Sequence, residues 1–276
     1  MLLCELGGNH GIGIDPSYVP ERTPPESAKR VKFIQDYYSP RYEHLQADVI
    51  CCRHTLEHIA TTQEFLRSVR RSIGKRTDTL LFFEVPDALR VLREGAFWDI
   101  YYEHCSYFTQ GSLERLFLSC GFRLEESYLD YDGQYLLLTA RPTAEQATEK
   151  LITDDFAATA EAVQQFPEIC SRTIQQWRQR VQGIVSQGRR VAVWGSGSKG
   201  VAFLTTVKLG EEIPYVVDIN PHRQGKFMPG TGQEIVSPEK LKSYRPDSII
   251  VMNPVYCQEI GRMLEQLGIQ AELLPA

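Results

Sequence analysis

No apolar run in this chain approaches the roughly 20 residues that a membrane-crossing helix needs, so an ordinary transmembrane anchor is excluded. Residues 1–10 carry Glu5 and lack both a basic flank and an apolar signal core, so no secretory leader is legible there. The expectation is a soluble, cytoplasmic chain. Lys+Arg number 30 against Asp+Glu 35, a net charge of −5, and neither sign forms a block, which argues against nucleic acid as a partner. The seven cysteines are scattered at 4, 51, 52, 105, 120, 170 and 257 without a C-x-x-C pair, so neither a zinc ribbon nor a disulfide framework is indicated. What remains is a chain of 276 residues, long enough for two domains that each bury a core.

The first half reads as short strands that end in polar residues. Gly11 to Asp15, G-I-G-I-D, is a buried strand closed by Pro16, with Asp15 at its carboxyl end. A carboxylate there suits the two hydroxyls of an adenosine ribose, although a plain turn residue would look the same. Val31 to Tyr37 repeats the pattern and ends at Asp36. Ala47 to Cys52 is a third such run, followed by Arg53-His54-Thr55-Leu56-Glu57-His58 and an amphipathic helix through Phe65, Leu66, Val69 and Ile73. His54 to His58 spells H-x-x-E-H, a zinc-protease motif that needs both histidines on one helix face. Here it begins at a strand's end, before any helix, and no metal is expected. Thr79 to Val85 predicts a central strand buried on both faces, Ser112 to Cys120 a short helix closed by Gly121, and Tyr135 to Thr139 a last strand.

After the central strand comes W-D-I-Y-Y-E-H-C-S-Y-F, residues 98–108, with Glu103 and His104 among Tyr101, Tyr102 and Tyr107. Burial among aromatic rings raises a carboxylate's pKa and lowers a histidine's, bringing either toward the working pH of a proton-abstracting base. Two readings stand here: an active-site wall, or a packed loop whose Glu and His satisfy backbone groups.

Pro142 to Gln187 changes character and predicts helix, broken near Pro167, with Ile174, Trp177, Val181, Ile184 and Val185 as a packing stripe. Val191 to Gly200 is then strand, glycine loop and helix start, G-x-G-x-x-G at Gly195, Gly197 and Gly200, and Tyr215 to Asp218 adds a strand ending in an acid about 20 residues on. Such glycines let the backbone approach a phosphate at a helix N-terminus, and Lys199 adds a positive charge for the same anion. The pattern supports an NAD(P)-dependent oxidoreductase, or a Rossmann-like fold that keeps the loop without the cofactor.

The segments A-D-V-I-C-C-R-H-T-L-E-H-I, F-F-E-V-P, Y-x-E-H-x-S-Y-F, G-S-G-S-K-G, V-V-D-I-N-P and Q-G-K-F-M-P-G-T together resemble the S-adenosylmethionine-dependent sugar C-methyltransferases. The resemblance implies an α/β fold in three parts: a class I, Rossmann-like methyltransferase core over 1–141, a helical linker over 142–188, and a smaller Rossmann-like substrate-binding domain over 189–276. It implies His104 as the base, Glu103 as the group that orients it, and Tyr101 and His58 as donors to an enolate or the sugar. Asp15 and Asp36 would hold the ribose and adenine side of S-adenosylmethionine, with Arg53 and His54 lining the same site. Gly195, Gly197, Lys199, Gly200, Asp218 and Lys226 would meet a nucleotide-sugar. Family members carry a zinc domain, then a glycine-rich loop after the first core strand. Met1 to Gly8 resembles the end of the helix that follows that loop, so the expectation is a truncated reading frame, a late start codon or a degenerate member. A non-catalytic remnant is the third reading beside methyltransferase and oxidoreductase.

Overall fold

The computed structural model describes residues 1–23, 29–143 and 152–276. Helix α1 (Leu2–Gly7) ends at Gly8 in the left-handed conformation and leads into strand β1 (Gly11–Ile14), which pairs in parallel with β2 (Val31–Ile34). A second sheet has the order β3-β4-β6-β5, from β3 (Val49–Arg53), β4 (Leu80–Pro86), β5 (Phe122–Asp130) and β6 (Tyr135–Pro142). β3 and β4 run parallel, whereas β6 lies antiparallel to both β4 and β5. The single doubly wound core sheet that the sequence suggests is therefore two sheets. Among the described residues β1 and β3 each have a ladder partner on one side only, and Ile12 and Val49 are left about half exposed. An open strand edge keeps unpaired N–H and C=O groups and invites further strand pairing.

The four-stranded sheet is covered by α2 (Thr62–Ile73), whose Leu66, Val69 and Ile73 bury against Leu81, Phe83, Val85, Leu136 and Leu138. Helix α3 (Ala88–Glu94) is capped by the Asp87 carboxylate, which accepts from the N–H groups of Leu89 and Arg90. Helix α4 (Gln110–Ser119) starts in a reciprocal Thr109–Ser112 capping box. β5 left no trace in the hydrophobic pattern because most of its side chains are exposed on both faces.

Helix α5 (Phe156–Ser186) runs unbroken through Pro167, against the expected break. The proline costs one helical hydrogen bond, but its exposed side meets solvent, and Trp177, Val181 and Ile184 fasten the helix to the second unit. Part of the expected linker lies outside the described residues.

The second unit is a parallel sheet of order β11-β10-β7-β8-β9, from β7 (Val191–Trp194), β8 (Tyr215–Val217), β9 (Glu234–Val236), β10 (Ser248–Val251) and β11 (Glu272–Pro275). Its helices are α6 (Ser198–Val207), the short α7 (Leu241–Tyr244) and α8 (Cys257–Gln266). One feature of the packing places the site. Ala96, Phe97 and Trp98 belong to the first half of the chain, yet they bury in the second unit's core with Trp177 and Phe203. Phe97 stacks on Phe203 at 5.9 Å, and Trp177 meets the same ring edge-on at 5.3 Å. Burying each of these aromatics removes about 150–250 Å² from water, worth about 4 kcal/mol or more before ordering costs. Residues 98–108 are thus clamped at the junction of the two units.

Candidate active site

The loop after Trp98 is pinned to the turn after β3. The N–H groups of Cys105 and Ser106 both donate to the Glu57 carbonyl, at 2.8 and 3.0 Å, and His104 N–H donates to Tyr101 O at 3.1 Å. This folds His104 inward, where it is 8% exposed. Its ring sits 4.0 Å from Tyr101, 4.9 Å from His58 and 5.9 Å from Tyr107. Burial, followed by the neighbouring His58, lowers the His104 pKa to about 4. The imidazole is therefore neutral at pH 7. One ring N–H is engaged by the Asp99 carbonyl, which leaves the other nitrogen as a lone pair.

His58 is held in the same manner, its Nδ1 donating to the Glu103 carbonyl at 2.9 Å. Glu103 thus meets His58 through its backbone carbonyl. Its side chain is exposed, and among the described residues no hydrogen bond joins its carboxylate to His104; the group that orients His104 is the Asp99 carbonyl. Tyr102, grouped by sequence with the pocket aromatics, is 99% exposed and points away. Burial, and then Asp99, hold the Tyr101 hydroxyl well above the usual tyrosine range, so it stays a protonated hydrogen-bond donor.

The H-x-x-E-H stretch does not aim two histidines at one point. His54, in the left-handed region at φ 47°, directs Nε2 to Glu84 at 2.7 Å and packs on Tyr135. Arg53 joins it on Glu84, through Nε at 2.8 Å and Nη2 at 3.1 Å. Glu84 is 1% exposed and sits in the middle of the apolar F-F-E-V-P run, so the buried acid that organises Arg53 and His54 came from a stretch legible only as strand. Asp15 stands exposed just past β1, where one carboxylate oxygen accepts the Ser17 N–H at 2.7 Å. Asp36 accepts from Tyr42 and Arg41; the Tyr42 hydroxyl, then the Tyr37 N–H, hold its carboxyl below the usual range.

In the second unit, a cavity of about 420 Å³ opens at the carboxyl ends of β7 and β10, lined by Gly195, Gly197, Lys199, Asp218 and Asn253, with Tyr101 on the opposite wall. Two glycines are obligatory. Gly195 has φ 114°, and a Cβ at Gly200 would lie 2.3 Å from the Gly195 carbonyl oxygen. Lys199 is already paired, with Nζ 2.8 Å from Asp99 Oδ1, while Arg90 Nη2 lies 2.7 Å from Asp99 Oδ2. Gln134 Nε2 donates to Asn253 Oδ1 at 3.2 Å, a second polar tie between the units. Asp218 accepts from the Ser196 hydroxyl and from the Ser196 and Asn220 N–H groups, and pairs with Arg223 at 3.3 Å. Burial pushes its carboxyl up, but the Ser196 and Asn220 hydrogen bonds and Arg223 outweigh that and hold it low. Lys226 is exposed and lies outside the cavity lining.

The arrangement brings His104, His58 and Tyr101 together at the junction, and gathers Gly195, Gly197, Lys199, Gly200 and Asp218 around one adjoining cavity. Asp15, Asp36, Arg53 and His54 stand at the ends of the first three strands. Asp99, a single acid in W-D-I, joins the two groups and carried no motif signal.

Residues 2–127 match the methyltransferase domain family, and residues 138–271 match the C-methyltransferase C-terminal domain family. The chain is 31% identical over 227 residues to the C-methyltransferase NovU of Streptomyces niveus, a match that covers 79% of this chain and 54% of the relative. It therefore spans about half the length of that curated relative. Among solved structures it is similar to the 8-amino-8-demethyl-D-riboflavin dimethyltransferase RosA of Streptomyces davawensis, with 16% identity and a TM-score of 0.39 over 51% of this chain and 45% of that one. It is also similar to the 1,6-didemethyltoxoflavin-N1-methyltransferase of Burkholderia thailandensis, with 18% identity and a TM-score of 0.33 over 51% of this chain and 75% of that one.

Proposed function

The chain belongs to the C-methyltransferase family, and from that premise we propose that it serves S-adenosylmethionine-dependent methylation of a carbon beside a keto group in a nucleotide-sugar or similar small molecule. The observation that carries this reading is His104: a neutral, buried imidazole with one nitrogen held by a backbone carbonyl and the other free, beside a protonated tyrosine.

S-adenosylmethionine supplies, when bound, an electrophilic methyl group on a sulfonium. The residues present fit its ribose: Asp15 is an exposed carboxylate at a strand's carboxyl end with one oxygen committed to Ser17, which leaves the other for a hydroxyl. Asp36, at the end of the adjacent strand, would stand on the adenine side. Arg53 and His54, spent on Glu84, would shape the site and donate little to it.

A C–H bond does not attack a sulfonium unaided, so the chemistry needs a carbanion equivalent. His104 takes the proton from the carbon beside the keto group, and the C–H electron pair passes into an enolate whose carbon is the nucleophile. The Asp99 carbonyl steadies the imidazolium that forms. The Tyr101 hydroxyl donates to the enolate oxygen as its charge develops, while His58, its one N–H spent on the Glu103 carbonyl, lines the pocket beside the base. The cavity at Gly195 to Gly200 takes the diphosphate end of the substrate against the glycine backbone, with Lys199 alongside. An oxidoreductase reading needs Asp218 for a cofactor ribose, and that carboxylate is committed to Ser196, Asn220 and Arg223.

Calorimetric titration with S-adenosylhomocysteine and with NAD tests this reading. Saturable binding of S-adenosylhomocysteine is expected; binding of NAD alone overturns it, and binding of neither favours a non-catalytic chain. His104→Ala should lower methyl transfer about 10²–10⁴-fold while leaving S-adenosylhomocysteine affinity unchanged.

A further inference from the structure

The two units meet through one buried carboxylate to which the proposed chemistry gives no part. Asp99 is 3% exposed and carries two cations, Arg90 Nη2 at 2.7 Å and Lys199 Nζ at 2.8 Å. Lys199 lies in the first turn of helix α6 beside the glycine loop and lines the cavity there, so it is within reach of an anion that enters. On its other side Asp99 bears on the base: its backbone carbonyl holds one ring nitrogen of His104, and its negative charge favours the protonated ring. His104 is also faced by Glu57 and His58 from the turn after β3, and by Tyr101, Glu103 and Tyr107 of its own loop. Among the described residues, Asp99 is the one of these acids that is ion-paired to the second unit. With Lys199 on Asp99 the base is weak. Burial, followed by His58, holds the His104 pKa at about 4, well under the working pH at which a general base is most effective.

We propose that Asp99 is a positioning residue through which the substrate strengthens the base that acts on it: a diphosphate at the glycine loop draws Lys199 away from Asp99, and the carboxylate so released favours protonation of His104. The inference rests on the reading of the cavity as the seat of the substrate's diphosphate. The exchange leaves no charge bare. Lys199 passes from one carboxylate to an anion that the N–H groups at the start of helix α6 also hold, and Asp99 keeps Arg90, so it does not become an uncompensated buried charge. A lysine suits this exchange, because its ammonium rides on a flexible four-carbon stem and can change partners without moving the backbone. Two cations on one acid cancel much of its field at His104. With one of them withdrawn, the imidazolium that forms on proton abstraction gains a neighbour of opposite charge. Base strength is thereby tied to the seated substrate.

The test follows the histidine ring signals of the whole, histidine-labelled chain by NMR from about pH 4 to about pH 8, with and without saturating inorganic diphosphate. His104 is identified by the signal missing from His104→Asn, and His54, which also feels the Lys199 charge, by His54→Asn. With diphosphate the His104 pKa should rise by about 1 or more, so that at about pH 5 its protonated fraction goes from about a tenth to about a half. In Lys199→Met the pKa should stand raised before any anion is added and move little at saturation. In Asp99→Asn, which keeps the shape of the side chain, diphosphate should bind but shift His104 by less than half as much. A merely structural role for the pair would leave these titrations alike, since thermal melting confirms that the chains compared are folded. Diphosphate that binds wild type without moving His104 overturns the inference and leaves the reading of the cavity standing. An equal shift in Asp99→Asn overturns it as well, because the anion's own field would then act directly. Should Asp99→Asn fail to fold, Lys199→Met decides: Asp99 there retains Arg90, and a His104 pKa equal to that of wild type overturns the inference. Failure of diphosphate to bind removes the reading of the cavity and the inference with it.

Discussion

Replacing Asp99 by alanine should do more damage than any other single change to an acidic side chain at the junction. Its carboxylate is 3% exposed and lies between Arg90 and Lys199, whose side chains are 15% and 20% exposed. Removing one partner of a buried ion pair typically costs about 3–5 kcal/mol, because the charge left behind is uncompensated. Arg90 retains Glu94 at 2.7 Å, which softens its loss, whereas no second acid is described on Lys199. The low end, about 3 kcal/mol, is therefore expected. At about 2–4 °C per kcal/mol for chains of this size, the unfolding midpoint should fall by about 6–12 °C. Urea unfolding of wild type, Asp99→Ala, Lys199→Ala and the double variant closes a cycle, in which the Asp99–Lys199 coupling should reach at least about 1 kcal/mol. Lys199→Ala alone should cost less, because Asp99 keeps Arg90. A loss below about 0.5 kcal/mol for Asp99→Ala, or a coupling near zero, would refute the claim that this pair ties the glycine loop to the loop over residues 98–108.

Three further outcomes are expected. The depressed His104 pKa means that the unfolded chain binds this proton first as pH falls, so the stability it contributes is intact above the unfolded pKa near 6.5 and is lost toward about 4. Between pH 7 and pH 4.5 wild type should lose about 2–3 kcal/mol more than His104→Asn in urea titrations, and equal losses would contradict the buried neutral imidazole. Gly200→Ala drives a Cβ into the Gly195 carbonyl oxygen and should cost about 1–3 kcal/mol by thermal unfolding, with the Gly195 to Gly200 loop displaced; a wild-type melting curve would count against that contact. Pro167→Ala restores an N–H in the middle of a continuous exposed stretch of helix α5 and should stabilise the chain by about 2 kcal/mol; no gain would mean that the proline is accommodated without cost.

Much of the second unit could be read directly because its constraints are local. A strand, a G-x-G-x-x-G turn and a helix start form a contiguous unit, and a second strand ending in Asp218 follows at fixed spacing, so one stretch of sequence predicts one stretch of structure. The exposed strand β5, the capped helix α3 and the last strand β11 left weaker traces, since half-exposed or short elements carry little periodicity. Candidate site residues divide in the same way. His104, Tyr101 and His58 stood out because aromatic residues around a Glu-His pair are chemically conspicuous. Glu84 and Asp99 did not, because each is a single acid inside an apolar stretch and matters only through partners far along the chain.

Residues 98–108 show where that boundary falls. The sequence alone determined that a base candidate lies in an aromatic segment following a buried strand, because side-chain chemistry and strand periodicity are written residue by residue. Tertiary structure decided which groups meet it: the Asp99 backbone and not the Glu103 carboxylate hydrogen-bonds the His104 ring, Tyr101 and not Tyr102 lies over it, and Lys199 from the other unit closes the far side. Those choices depend on the direction in which a turn points each side chain and on which distant surface it meets. Both are fixed only when Phe97 and Trp98 bury into the second unit's core and carry the rest of the loop to the junction.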